Sequence, residues 1–315
     1  MLCFGRKSVK KKDFISLLDY TSEELHSLID LADQIKANPK EYSNSLSGKI
    51  LGMIFQKNST RTRISFQAGI YQLGGTGFFF GANDLQLSRG ETIYDTANVL
   101  SRYMDGIMIR TFAYSDVQEL AKHATIPVIN GLTDYNHPCQ VMADIMTIRE
   151  KLGKNTKGMK LTYVGDSNNM TLSLIYMCAN FKMNMTVVSP MKYQLKERED
   201  VKKIALKIYP DMKLDFVEDA ASGVKGSNVI YTDTWTSMGQ EKEREQRLKD
   251  LNGYMVDSKM MKLADKNAIF MHCLPAHRGE EVATEVIDGH QSVVFDEAEN
   301  RMHAQKAIMY HLMRD

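Results

Sequence analysis

Short apolar runs alternate with amphipathic segments along nearly the whole chain. Near the start, TSEELHSLIDLADQI carries Leu25, Leu28, Ile29 and Ala32 at helical period, and Thr21 and Glu24 stand at capping-box spacing before them, so the pattern predicts a helix. ILGMIF (50 to 55), GFFF (77 to 80), GIMI (106 to 109) and PVIN (127 to 130) then read as buried strands with helical segments between them. After the polar stretch GKNTKG (153 to 158) the alternation resumes through KLTYV, MTVVS, KLDFV, NVIYT, AIFMH and VVF. This order predicts an α/β protein in which mostly parallel sheets are covered by helices on both faces. Two units divided near residue 150 fit the pattern: 1 to 150, and 151 to 298. The last helix, ENRMHAQKAIMYHLM (about 299 to 315), follows the final strand and could pack on either unit.

Composition narrows the function classes. At 315 residues the chain exceeds the size at which one core usually stops growing, which supports two domains. Forty Lys and Arg against 39 Asp and Glu leave a formal charge of +1, so no overall field draws the protein to nucleic acid or a membrane. Any anion it binds must be held by local geometry. MLCFGRKSVKKKDF has no continuous apolar stretch, and no apolar run elsewhere is long enough to span a bilayer; a cytoplasmic protein is expected. KSVKKK reads as a solvated terminus in preference to a basic docking arm. Cys3, Cys139, Cys178 and Cys273 are spread without a C-x-x-C pair, so reduced thiols and no disulfides are expected.

One stretch concentrates chemistry. NSTRTRISF (58 to 66) follows the strand ILGMIF directly and opens a helix running to about Leu73. Ligands of parallel sheets collect at the carboxyl ends of strands, where helix N-termini present free N–H groups. Ser59, Thr60 and Thr62 supply hydroxyls there and Arg61 a bidentate fork, so the loop suits a phosphate or a similar dianion. The plainer alternative is that the hydroxyls only cap the helix and the arginines are surface charges. The common nucleotide signatures are missing: there is no G-x-x-x-x-G-K-[ST], and KLTYV is followed by GDSNN, not G-x-G-x-x-G.

STRTR (59 to 63), HPCQ (137 to 140), DTWTSMG (233 to 239) and HCLPAHRG (272 to 279), in this order, resemble the transcarbamylases and specifically the ornithine carbamoyltransferases. The resemblance extends from DFISLLDYTSEEL to ENRMHAQKAIM, essentially the whole chain. STRTR and HPCQ are shared with the aspartate enzymes of the superfamily, whereas SMG and HCLP mark the ornithine branch. The resemblance implies two doubly wound domains, one for carbamoyl phosphate and one for the amino acid, with no cofactor and no metal. It implies transfer of the carbamoyl group to L-ornithine, giving L-citrulline and phosphate in arginine metabolism.

Residue by residue, the resemblance implies that Ser59, Thr60, Arg61 and Thr62 bind the phosphate and that Arg110, after GIMI, reaches both phosphate and carbonyl oxygen. His137 and Gln140 contact the carbamoyl group. Arg301 completes that pocket, which implies that the last helix packs back on the N-terminal domain. Asn169, Ser237 and Met238 hold the α-amino and α-carboxylate end of ornithine, and Asp233, Cys273 and the Leu274 backbone face its side-chain amine. Gln86, in NDLQLSRGE, resembles the residue that relatives send into a neighbouring subunit's site, which implies a homotrimer. Arg89 in the same loop departs from the pattern and adds a positive charge that could reach the phosphate, its role being left open by the sequence.

Plainer readings stand beside these. A histidine before a proline, as in His137, commonly only enters a helix. Cys273 beside His272 suggests a cysteine hydrolase, but strand neighbours point to opposite faces, which argues against a dyad. His137 and Cys139 lack further ligands at metal-binding spacing. Asp144 and Glu150 read as solvated or capping, and EKEREQRLKD after SMG as an exposed mobile segment. Rival activities are transfer to putrescine or a modified ornithine, disfavoured because SMG suits a carboxylate, and transfer to aspartate, disfavoured by the thiol of HCLP. A catalytically silent anion-binding protein is the rival from another class.

Overall fold

The computed structural model describes residues 11–314, so Cys3 and KSVKKK as far as Lys10 lie outside the described residues. Among these, nine strands form two wholly parallel sheets. The first joins β1 (Ile50–Phe55), β2 (Thr76–Gly81), β3 (Gly106–Arg110) and β4 (Val128–Leu132) in the order β2-β1-β3-β4. The second joins β5 (Lys160–Val164), β6 (Asn184–Val188), β7 (Leu214–Val217), β8 (Val229–Thr232) and β9 (Ile269–Met271) in the order β7-β6-β5-β8-β9. Strand order reverses between β1 and β3 and again between β5 and β8. Those two switch points are where parallel sheets open a crevice at their carboxyl ends, and STRTR, Arg110, GDSNN and DTWTSMG all sit there.

The sequence pattern and the elements agree where periodicity is simple. The helix Ser22–Ala37 carries the anticipated capping box, with the Thr21 hydroxyl accepting from the Glu24 N–H and the Glu24 carboxylate from the Thr21 N–H. The helix Pro138–Leu152 is buried almost all round, from Pro138 to Arg149. It packs against the last helix, Val294–Met313, which also lies against Ser22–Ala37 and the helix Thr60–Gln72. The largest apolar core runs through both sheets, from Phe14 and Leu51 to Tyr231 and Met271.

Three expectations are corrected. VVF does not form a strand: the Val293 N–H meets the Phe270 carbonyl at 3.0 Å, and the chain then turns into the last helix at Val294, whose side chain fills a second apolar cluster. The stretch after SMG is not free: it forms a turn at Glu241–Glu243 and a helix at Arg244–Asp250, because Arg247 is drawn inward to Asp166 at 2.7 Å. Asp144 is not solvated but completely buried, between Gln140 and the last helix. Glu150 does remain at the surface, paired with Lys36 at 2.9 Å.

Candidate active site

The helix Thr60–Gln72 begins with Ser59, whose hydroxyl accepts the Thr62 N–H at 3.2 Å and so caps the first turn. The Ser59 hydroxyl then donates to Thr62 Oγ1 at 3.1 Å. The same Thr62 oxygen receives Arg301 Nη2 at 2.7 Å and lies 3.4 Å from Arg110 Nη1. Arg110, the last residue of β3, is further held by Nε donating to the Lys57 carbonyl at 3.1 Å. One buried hydroxyl thus gathers guanidiniums from a strand end and a helix more than 200 positions away. Arg61 extends across the crevice to donate to the Leu274 carbonyl.

Ser59, Arg61, Arg110 and Arg301 line a cavity of about 630 Å³, together with Thr60, His137, Gln140, Asn169, Asp233, Ser237, Met238, Cys273 and Leu274. Burial first, then the charge of Arg301 and more weakly that of Arg61, pulls the Arg110 guanidinium down to about 9. The same burial, reinforced by Arg301, Arg110, Lys57 and Arg61, drives His137 well below its ordinary value, so its imidazole is neutral at pH 7. Crowded cations in a low-dielectric cleft produce a strong local attraction for a dianion, despite a net charge of only +1. Arg61 Nε, Arg301 Nε, His137 Nδ1 and Gln140 Oε1 are buried without a hydrogen-bond partner among the described residues, an unusual concentration of unused polar valence.

The opposite wall comes from the second sheet. Gly165 follows β5 at φ 124°, and a Cβ there would meet the Trp235 indole nitrogen at 3.0 Å, so only glycine lets this turn pass beneath the DTW loop. The helix Asn169–Asn180 is capped by Asn168, whose amide donates to Asp233 Oδ2 at 2.9 Å. Asp233 Oδ1 also receives the Cys273 thiol at 3.2 Å. Burial, then the Asp233 charge, pushes the Cys273 thiol well above its ordinary value, so it stays protonated. Asn169 Nδ2 donates to the Thr133 carbonyl at 2.7 Å, and the His137 N–H to the Ser173 hydroxyl at 2.8 Å, tying the two walls together.

His272 corrects the strand-face argument. Residue 271 ends β9, so alternation stops, and ligand atoms of Asp233, His272 and Cys273 lie within 4.8 Å of one another. They make one of two groupings of metal-ligand type among the described residues, the other being His277, Glu280 and Glu281; His137 and Cys139 belong to neither. A cysteine–histidine dyad is still not formed: His272 Nδ1 accepts the Leu274 N–H at 2.9 Å, and Nε2 faces Glu281 at 3.3 Å. The thiol is left to Asp233.

The structure therefore gathers thirteen of the residues singled out by the motifs around one cavity, with Thr62 immediately behind. Gln86 is the exception. It opens the short 3₁₀ turn Gln86–Arg89, exposed beyond β2, and neither it nor Arg89 lines the cavity. Lys57, missed by the motif reading, also lines the cavity, bound to Asp134 at 2.8 Å. Its position one residue before NSTRTR was the available signal. Asn168 was missed as well, although an asparagine three residues before a threonine at a helix start is a capping pattern.

Comparison with known proteins accounts for this arrangement. Residues 12–150 match the carbamoyl-P binding domain of the aspartate/ornithine carbamoyltransferases, and residues 157–312 match their Asp/Orn binding domain. The chain is 54% identical over 314 residues to the ornithine carbamoyltransferase of Oceanobacillus iheyensis, covering 99% of this chain and 97% of that protein. It is 54% identical over 308 residues to that of Symbiobacterium thermophilum, covering 97% and 99%. The solved ornithine carbamoyltransferase of Pyrococcus furiosus superposes with a TM-score of 0.92 at 47% identity, over 98% of this chain and 99% of that one. Identity of this extent, over both sheets and all four motifs, places the chain in the aspartate/ornithine carbamoyltransferase family of enzymes, with the ornithine carbamoyltransferases.

Proposed function

We propose that the protein transfers the carbamoyl group of carbamoyl phosphate to the side-chain amine of L-ornithine, releasing L-citrulline and phosphate, and that it serves arginine metabolism in the cytoplasm. The observation that carries this reading is the convergence of Arg61, Arg110 and Arg301 on one face of a cavity whose other face presents Asp233 and Cys273. Residues 1–150, with the last helix returned onto them, form the carbamoyl-phosphate domain, and 151–298 the ornithine domain. Gln86 belongs to a neighbouring subunit's site in a homotrimer.

The chemistry follows from charge. Ser59, Thr60, Arg61 and Arg301 hold the phosphate, with Thr62 fixing the guanidiniums from behind. The neutral amine attacks the carbonyl carbon, a C–N bond forms, and the carbonyl oxygen becomes negative. Arg61, Arg110 and the neutral His137 donate to that oxygen. The carbon–oxygen bond to phosphate then breaks as the carbonyl reforms, and the proton lost by the amine nitrogen passes to the departing phosphate, which leaves as the hydrogen phosphate dianion. Asp233, with the Cys273 thiol and the Leu274 carbonyl, orients the amine, and Asn169, Ser237 and Met238 hold the amino-acid end. A carboxylate at that end favours ornithine over putrescine. A ureido-product assay at pH 8 with carbamoyl phosphate and ornithine, putrescine, lysine or aspartate tests this. Citrulline at kcat/KM above about 10⁴ M⁻¹s⁻¹ supports it; preference for another amine overturns the amine half.

A further inference from the structure

Gln140 reaches the cavity from the first turn of the helix Pro138–Leu152 with both hydrogens of its amide taken. Nε2 donates to Asp144 Oδ1 at 2.8 Å and to Glu297 Oε1 at 3.1 Å, while Oε1 receives nothing from the described residues. Turning the amide over would set its oxygen against two carboxyl groups, so the network fixes which end faces the cavity. Asp144 and Glu297 are both completely buried. Burial raises Asp144 to about 7; it also raises Glu297 well above its usual range, with the Asp144 charge adding to the effect. Two buried carboxyl groups converge on one amide, and burial disfavours charge on both at once. Glu297 is anchored from the second sheet as well, accepting the Tyr231 hydroxyl at 3.1 Å and the His272 N–H at 2.9 Å.

The guanidiniums of the cavity only donate, and donors cannot distinguish an amide NH₂ from a methyl group on the same acyl phosphate. An inward amide oxygen can. With Gln140 contacting the carbamoyl group as the resemblance implies, we propose that the Asp144–Glu297 pair is what holds its amide with Oε1 inward, and that this pair thereby sets the preference for carbamoyl phosphate over acyl phosphates such as acetyl phosphate. The inference rests on the carbamoyl-transfer reading above. Asp144 and Glu297 are positioning residues, acting through Gln140.

The test measures, in wild type, Asp144→Ala, Glu297→Ala and Glu297→Gln, the KM for carbamoyl phosphate and the inhibition constants of acetyl phosphate and inorganic phosphate. Inorganic phosphate reads the anion site alone and reports that a variant is folded. The ratio of the acetyl phosphate constant to the carbamoyl phosphate KM is expected to fall about tenfold or more in Asp144→Ala and Glu297→Ala, since a lost acceptor no longer rejects the analogue. The phosphate constant should change by less than about threefold, and Glu297→Gln, whose amide oxygen can still accept from Gln140 Nε2 and the Tyr231 hydroxyl, should restore the ratio. An unchanged ratio in either alanine variant that still binds phosphate overturns the inference. A wild type that forms no citrulline overturns the functional reading instead, so the two failures are distinguishable.

Discussion

On the wall built by Ser59–Thr62, Arg110 and Arg301, polar groups are held by other protein atoms: Thr62 Oγ1 gathers two guanidiniums and the Ser59 hydroxyl, and Lys57 supplies a carbonyl to Arg110. Across the cavity the SMG segment is held far less. Met238 is 47% exposed, Ser237 is fixed through its N–H to the Gln240 side chain at 3.1 Å, and Gly239 takes φ 95°. An anion with two full charges needs donors that do not have to be gathered at the moment of reaction, and a buried, cross-linked cluster provides them. An amino acid that must enter and leave is better served by a loop with few buried contacts, since such segments open at low cost. The first wall is preorganised, and the second is the more loosely held of the two.

The hardest test of that contrast is to remove a preorganised donor. Arg61→Ala or Arg110→Ala is expected to lower kcat/KM for citrulline formation by about 10² to 10³, the usual cost of one oxyanion donor. Inorganic phosphate binding should weaken in parallel, measured by calorimetry. A near-normal rate in either variant breaks the assignment of the whole wall.

A comparable change should come from pH alone, through the substrate. The side-chain amine of ornithine titrates near about 10.4, so its neutral fraction grows tenfold per pH unit, or about 300-fold from pH 6 to pH 8.5. His137 is held neutral by burial and the surrounding cations, so it contributes no titration in that window. The kcat/KM for ornithine should therefore rise throughout, and His137→Gln should lower the curve without moving it. An inflection near pH 6.5 that vanishes in that variant would show a titrating histidine and contradict the electrostatic account.

Cys273→Ala probes the second wall. Losing a hydrogen bond to a charged group costs about 1.5 to 3 kcal/mol, so kcat/KM for ornithine should fall roughly tenfold to 10²-fold. The KM for carbamoyl phosphate should stay within about twofold. Equal effects on both substrates would dissolve the distinction between the walls.

Much of the first wall was legible because its signal is local: a strand, two hydroxyls, an arginine and a helix start lie within a dozen consecutive residues. The parallel sheets with their helical cover followed from alternation of strand and helix patterns, whereas the strand order and its two switch points depend on pairings between distant segments that alternation does not encode. Asp144 was misread because its helix is buried all round, which removes the amphipathic stripe that normally tells inside from outside. Its partner Glu297 lies 153 positions on, and no periodicity connects them. Arg247 likewise sits in a run of charges, EKEREQRLKD, whose composition suggests solvent, while its burial depends on Asp166 far upstream. Gln86 and Arg89 were legible only as motif positions, and one chain places them outside its own cavity.

The smallest expected effect sharpens the comparison most. Gly239 sits at φ 95° with open space where a Cβ would be, so an alanine there meets no clash and only the left-handed backbone is penalised. That penalty is about 1 kcal/mol, which would bias the SMG segment away from its present shape. If the segment closes around the amino acid, Gly239→Ala should raise the ornithine KM about fivefold. The carbamoyl phosphate KM should not change, because a Cβ at 239 meets nothing within 4 Å among the described residues, the arginine wall included. A change in both constants would mean that the segment also orders the anion site, and the two walls would then have to be treated as one.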